Sequence, residues 1–154
     1  MPLVDLVDET FVVAPPQRLA DAFADPRSWR RWWPSLALEL AEDRGVKGLR
    51  WRVVGGSPGA AHPLRGTSEV WLEASRDGTI VHFYLRADPV AESPGSPARV
   101  RRLADQLRRE HAVAFKARLN ALKDELEDGR APGEPGPSLV LAAPARLSRA
   151  ARLR

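Results

Sequence analysis

The apolar and polar positions of the first 34 residues predict one strand followed by two short helices. The Val- and Phe-rich stretch over residues 3–15 is typical of a strand. Residues 16–25 repeat apolar side chains at helical spacing. Asp25 is suited to cap a second helix, and Pro34 ends that helix because the residue before a proline is pushed out of the helical region.

A first β-hairpin is predicted over residues 36–54, with its turn at Arg44 and Gly45. Its strands alternate apolar and polar side chains, as expected for a sheet with one solvated face. Counting outward from a two-residue turn predicts these cross-strand pairs: Leu36–Val53, Leu38–Trp51 and Leu40–Leu49 on the apolar face, with Ala37–Arg52 and Glu39–Arg50 on the polar face.

A second hairpin is predicted over residues 69–88, with Asp77 and Gly78 at its tip, a dipeptide that strongly favours a tight hairpin turn. A shift by one residue would exchange the two faces of a hairpin, so each is expected to keep one apolar face inward. The expected pairs are Val70–Leu85, Leu72–Phe83 and Ala74–Val81 on the apolar face, with Glu69–Arg86, Trp71–Tyr84 and a surface Glu73–His82 pair on the polar face.

The last third predicts a long helix from about Ala98 to Asp128, closed by Gly129. His111 and Arg118 fall within its apolar stripe. Because burying an unpaired polar group costs about 1–3 kcal/mol, each needs a partner, solvent or a ligand. The stripe comprises Val100, Ala104, Leu107, Ala114, Phe115, Leu122 and Leu126.

Residues 1–128 are therefore predicted to form one domain, and residues 129–154 a disordered tail that is rich in Pro and Gly and then basic. Residues 1–98 carry 11 Lys and Arg against 13 Asp and Glu, a net charge of −2. Residues 99–154 carry 13 against 7, a net charge of +6. Because the positive charge is concentrated at the C-terminal end, nucleic acid is not the expected partner.

The composition argues against several kinds of site. There is no cysteine, which excludes disulfides, thiolate catalysis and zinc–thiolate centres. The three histidines, at 62, 82 and 111, lack metal-ligand spacing, and no glycine-rich strand–turn–helix motif is present to hold a phosphate. We therefore expect no metal and no cofactor. Apolar runs are far shorter than the ~20 residues that span a bilayer, and the acidic N-terminus is unlike a secretory signal, which favours a cytoplasmic protein without a transmembrane segment.

Two stretches carry a family resemblance: "VVAPPQRLADAFADPRSWRRWWP" (12–34), and "EVWLEASRDGTIVHFYLRADP" (69–89) with a basic helix ending in "LKDELE". They resemble the START-related helix-grip superfamily (SRPBCC), and within it the bacterial polyketide cyclase/dehydrase and lipid-transport proteins. The resemblance implies an α+β helix-grip fold, in which a curved antiparallel sheet wraps around a long C-terminal helix and two short helices follow the first strand. The superfamily pattern has seven strands and only five are predicted here, so either residues 55–65 contain an irregular strand or the cavity is reduced.

The resemblance also implies a cavity between sheet and helix that binds a small hydrophobic or amphipathic molecule. In that cavity His111 and Arg118 would hydrogen-bond a carbonyl, phenol or carboxylate of the ligand. The residues expected to line it are Trp51, Leu72, Phe83, Leu85, His111, Phe115 and Arg118, with Trp33 near its entrance.

Two questions stay open at this level: the role of the tryptophans and the function of the protein. The tryptophans of "SWRRWWP" share one face of a helical turn and pack in the core, line the cavity mouth or, as the least favoured alternative, stack against nucleic-acid bases. The protein is either a binding protein or a cyclase/dehydratase acting on an aromatic polyketide-like substrate, with His111 as a weak candidate for the acid or base because no orienting partner can be named. The third possible function is protein interaction without catalysis. In that case the cavity is filled by the protein's own side chains, and Trp71 and Tyr84 form an interaction face, for instance in a homodimer.

Overall fold

In the computed structural model, which describes residues 1–90, 95–129 and 133, one curved antiparallel sheet packs beneath a long helix. The spatial order of its strands is β1-β5-β4-β3-β2. The strands are β1 (Val4–Val12), β2 (Leu36–Asp43), β3 (Gly48–Gly56), β4 (Leu64–Ser75) and β5 (Gly78–Pro89). The helices are α1 (Pro16–Ala24), α2 (Trp29–Trp32) and α3 (Pro97–Glu127), with 3₁₀ turns at Pro26–Ser28 and Gly45–Lys47. The α+β helix-grip architecture is confirmed.

The strand count answers the question about residues 55–65. β3 continues to Gly56 and β4 begins at Leu64, and residues 57–63 between them form turns and no strand. Within the described residues the sheet has five strands, the reduced form of the pattern. The predicted tail lies outside the described residues apart from Gly129 and Gly133.

The short helical segment after α1 is shaped by its cap and its prolines. The carboxylate of Asp25 accepts a hydrogen bond from the Arg27 backbone N–H at 3.0 Å, as the sequence predicts for a cap. The chain then makes one 3₁₀ turn and one α-helical turn before Trp33 leaves the helical conformation ahead of Pro34. This brings Trp29 and Trp33 against Trp51 of β3, whereas Trp32 contacts α1 and α3.

The first hairpin has a wider turn than predicted, and its predicted register is wrong. Leu38 pairs with Val53 and Leu40 with Trp51, a shift of two residues. The shift arises because the 3₁₀ turn at Gly45–Lys47 lengthens the connection and β2 is irregular at two points. The apolar face of β2 is also only partly covered, since Leu40 is 41% exposed.

The register of the second hairpin is also shifted by two residues. The predicted cross-strand pairs are therefore wrong, but the strands turn the predicted side chains toward the inner and outer faces of the sheet. Ser75 pairs with Gly78, which leaves Arg76 and Asp77 as the loop. Arg76 takes the positive φ of the turn, whereas Gly78 is required as the first residue of β5, where a Cβ atom would collide with the Val12 carbonyl of β1. A shift by two residues preserves which side chains face inward.

The buried face of α3 differs from the predicted stripe. Ala114 and Arg118 were expected inside it, and both are exposed. Leu119, which the stripe omitted, is fully buried four residues after Phe115. Positions 114 and 118 each precede one of these buried residues, which turns them about 100° away around the helix.

α3 is held along β1 by polar contacts. Lys116 Nζ lies 2.7 Å from Asp8 Oδ1, and Lys123 Nζ donates to the Phe11 carbonyl at 2.8 Å. Glu127 accepts a hydrogen bond from the Val13 backbone N–H at 2.9 Å. These contacts place the helix over the inner face of the sheet. In the part of the chain that the structure describes, no helix combines the length and the apolar character needed to cross a membrane.

Candidate functional site

Four aromatic side chains fill the space between the sheet and α3. We call Trp33, Trp51, Phe83 and Phe115 the ring cluster. The rings of Phe83 and Phe115 stack with centroids 3.8 Å apart and planes 9° apart. Trp33 lies 4.9 Å from Trp51 and is nearly parallel to both phenylalanine rings. Because all four side chains are almost completely buried, this part of the predicted cavity is packed.

The tryptophans of α2 explain how the cluster is closed. The Trp29 indole donates a hydrogen bond to the Phe23 carbonyl of α1 at 2.8 Å. Trp32 packs against Phe23 with ring centroids 4.6 Å apart. The tryptophans of the motif therefore pack in or against the core, which is one of the alternatives that the sequence left open. Trp32 and Trp33 also reach the edge of the packed region.

At that edge an open recess of about 290 Å³ remains between α2, the loop over residues 57–63 and α3. We call it the recess. Its walls combine aromatic rings with small apolar side chains, and few polar groups converge on it. The lining residues are Trp32, Trp33, Pro34, Ser35, Ala60, Ala61, His62, Leu107, Glu110, His111, Ala114 and Phe115.

His111 is the central polar group of the recess. It is half-buried and makes no hydrogen bond or ion pair within the described residues. Burial lowers the pKa of its imidazole, and the nearby charge of Glu110 opposes that effect more weakly. His111 is therefore neutral at neutral pH, with one nitrogen able to donate and the other able to accept a hydrogen bond.

Two further polar atoms behind the recess lack partners. The indole nitrogens of Trp33 and Trp51 are buried, and neither forms a hydrogen bond within the described residues. A buried donor of this kind is uncommon in proteins because losing its hydrogen bond to water costs free energy. Trp33 lines the recess, but its indole nitrogen is itself buried and is not exposed to that open space.

The predicted site residues separate into three groups. Trp33, His111 and Phe115 line the recess. Trp51 and Phe83 lie behind it in the ring cluster. Leu72 and Leu85 are buried on the inner face of the sheet, away from the recess, and Arg118 is exposed and borders a neighbouring groove of about 350 Å³ with Trp32, Pro34, Ala114, Ala117 and Ala121.

Sequence reasoning missed several lining residues. Glu110 and Ala114 follow Leu107 on the helix face next to His111, so their helical spacing was an available signal. Ala60, Ala61 and His62 come from a Gly- and Pro-rich loop whose path has no such periodicity. No sequence pattern places that loop opposite α3.

On the outer face of the sheet, the surroundings of His82 differ from the prediction. His82 was expected on the surface, yet it is only 7% exposed and its ring stacks on Trp71 at 4.6 Å. Its Nε2 atom lies 2.9 Å from Glu73, so the predicted contact is present although the two residues are not directly opposite. Its Nδ1 atom lies 3.5 Å from Glu9, which extends the group to β1.

Solved structures show which fold this is. A protein of Deinococcus radiodurans is 18% identical and superposes with a TM-score of 0.53, covering 82% of this chain and 99% of that one. The Aha1 dimer from Colwellia psychrerythraea is 17% identical with a TM-score of 0.50, covering 83% and 99%. The chain has the helix-grip fold. A START superfamily protein from Mycobacterium smegmatis is a more distant match, with 17% identity, a TM-score of 0.41 and coverage of 77% and 98%. No family model matches the sequence, and the search of curated proteins gave no match.

Proposed function

We propose that this helix-grip protein binds a small hydrophobic or amphipathic molecule in the recess and acts as a cytoplasmic binding or carrier protein. The observation that carries the proposal is the recess itself, an open volume of about 290 Å³ with mostly apolar walls and few convergent polar groups. Ligand sites in proteins have this character. Trp33, His111 and Phe115 are the proposed contacts.

The packed interior shapes this proposal. Trp51 and Phe83 support the recess from behind, while Leu72 and Leu85 stabilise the sheet that carries them. Arg118 would meet a ligand only where it extends from the recess into the neighbouring groove. A catalytic role for His111 would require a group that orients its ring, and binding is therefore the function proposed.

The first experiment is native mass spectrometry of the protein purified from its own host, which would reveal a retained small molecule. A displacement assay with a fluorescent hydrophobic dye then tests the location. Ala114→Phe fills the recess and should abolish dye binding, whereas Val113→Phe, at a neighbouring position that is 72% exposed, should leave it unchanged. No retained molecule and no dye binding would contradict the proposal.

A second candidate is a protein-interaction role for the outer sheet face. Trp71 is 37% exposed there and Val7 52% exposed, with Tyr84 half-buried between their strands. Exposed aromatic side chains are enriched in interfaces. If this face forms a homodimer, light scattering over a dilution series should show a dimer that Trp71→Ala dissociates, and a monomer at every concentration would contradict it.

A further inference from the structure

The volume of the recess limits the size of its occupant. About 290 Å³ lies at the lower end of the range of about 300–1,000 Å³ that is usual for ligand pockets. The occupant cannot extend inward, because Phe115 in the wall stacks on Phe83 behind it, with their ring centroids 3.8 Å apart. One or two fused rings fit within such a volume, whereas a long acyl chain or a three- to four-ring system would have to extend into the more open neighbouring groove beside Arg118 and leave much of its surface in water.

The charges around the recess argue against an anionic occupant. Its lining contains no lysine or arginine. The titratable groups that face it are His62 from the loop and Glu110 and His111 from α3, while the segment from Trp32 to Ser35 contributes none. With His111 neutral and Glu110 carrying a negative charge, a carboxylate in the recess would lose hydration without gaining a cationic partner.

The unpartnered polar group of the recess favours a hydroxyl. The neutral imidazole of His111, which lines the recess, offers an acceptor nitrogen. A hydroxyl can donate a hydrogen bond to that nitrogen. A carboxylate can only accept, and an ether cannot donate.

From these observations, and resting on the proposed function above, we infer that the recess takes an uncharged hydroxylated molecule of one or two fused rings, whose hydroxyl donates to His111. The apolar rings contact Trp32, Trp33 and Phe115. This specificity excludes fatty acids and larger polycyclic compounds. It also makes binding depend on pH, because a protonated His111 has no acceptor nitrogen.

Calorimetric titration with four probes tests the inference: 2-naphthol, its methyl ether, 2-naphthoate and oleate. At pH 7.5 the wild-type protein should bind 2-naphthol about fivefold more tightly than the methyl ether, the effect of one hydrogen bond. 2-Naphthoate and oleate should bind at least about tenfold more weakly than 2-naphthol. Affinity for 2-naphthol should fall as the pH is lowered from 7.5 toward the lowered pKa of His111, with no matching fall for the ether.

His111→Phe identifies the acceptor. In this variant the difference between 2-naphthol and its ether should disappear, and His111→Gln, whose amide oxygen accepts, should restore part of it. Because each comparison is made within one folded variant, a change in stability does not imitate the result. Val113→Phe is the matched control and should keep the wild-type difference.

Each contrary outcome has a separate meaning. Tight binding of oleate or 2-naphthoate, or an unchanged naphthol–ether difference in His111→Phe, would overturn this inference while leaving ligand binding in the recess intact. If no probe binds, no dye binds and no molecule is retained from the host, the proposed function itself fails.

Discussion

At the scale of single residues, the stacked pair of Phe83 and Phe115 joins the sheet to α3. Both side chains are almost completely buried, and their rings lie in van der Waals contact with Trp33 beside them. A buried phenylalanine contributes through the apolar area it removes from water and through close packing. The stability contributed by these rings and the close packing of this part of the interior therefore have the same cause.

Phe83→Ala should lower the free energy of unfolding by about 3–5 kcal/mol, because it loses buried area and leaves a cavity. Urea denaturation is the measurement. Val113→Ala, at a position that is 72% exposed on α3, should change it by no more than about 0.5 kcal/mol. Equal effects of the two substitutions would mean that the rings are not packed as described.

His111 should make stability depend on pH. Burial lowers the pKa of His111 in the folded protein, whereas the unfolded chain has the ordinary value of 6.5. Between these two values the unfolded state binds more protons, so the free energy of unfolding should fall as the pH falls through 6.5. His111→Gln should remove this part of the dependence in urea titrations at pH 7.5 and 5.5, and the matched variant His62→Gln, at an exposed loop position, should retain it.

At the scale of elements, alternation along each strand predicted the inner and outer faces, because the side-chain period of two survives any even shift of register. It could not predict the register, which depends on the backbone of the turns. The 3₁₀ turn at Gly45–Lys47 and the positive φ of Arg76 each moved a hairpin by two residues. α3 shows a related limit, since its length was predicted, whereas the exposure of Arg118 depends on which flank meets the sheet.

The recess was predictable only in part for the same reason. Helical spacing placed His111 and Phe115 on one side of α3, and the resemblance placed Trp33 near an entrance. The opposing wall, Ala60 to His62, comes from an irregular loop. Whether space remains between such walls is decided by side-chain volumes across three elements, which one-dimensional patterns do not record.

Gly48 should be the most sensitive glycine of the first hairpin. Its φ is +120°, and a Cβ atom there would collide with the Val70 carbonyl of β4. Gly48→Ala should therefore lower the free energy of unfolding by more than about 2 kcal/mol. Gly45→Ala is the matched control at the same turn, with φ +61° and no atom near the added carbon, and should cost only about 1 kcal/mol. Similar losses in thermal unfolding would refute the close approach of β3 to β4.

At the scale of the whole molecule, the described hydrophobic core lies before the end of α3, and the net positive charge lies after it. Residues 1–129 carry 19 Lys and Arg and 19 Asp and Glu, so their net charge is zero, and residues 130–154 carry the entire +4. The described buried hydrophobic residues extend only from Val4 to Leu126. Asp128 and Gly129 follow α3 directly and both have positive φ, a conformation that ends the helix at Glu127. The basic character of the chain therefore belongs to the segment that follows the core.

A chain ending at Gly129 should consequently fold with a melting temperature within about 3 °C of the full protein, because it retains every described residue of the buried hydrophobic core. It loses the contact in which the Gly133 backbone N–H donates to Asp77, which is exposed. On a cation-exchange column at neutral pH it should elute earlier, since its net charge falls from +4 to zero. The full chain with Arg146, Arg149, Arg152 and Arg154 changed to Gln should elute equally early and melt at the wild-type temperature. A truncated chain that melts many degrees lower, while the Gln variant does not, would show that the last 25 residues pack on the domain and that its boundary lies beyond α3.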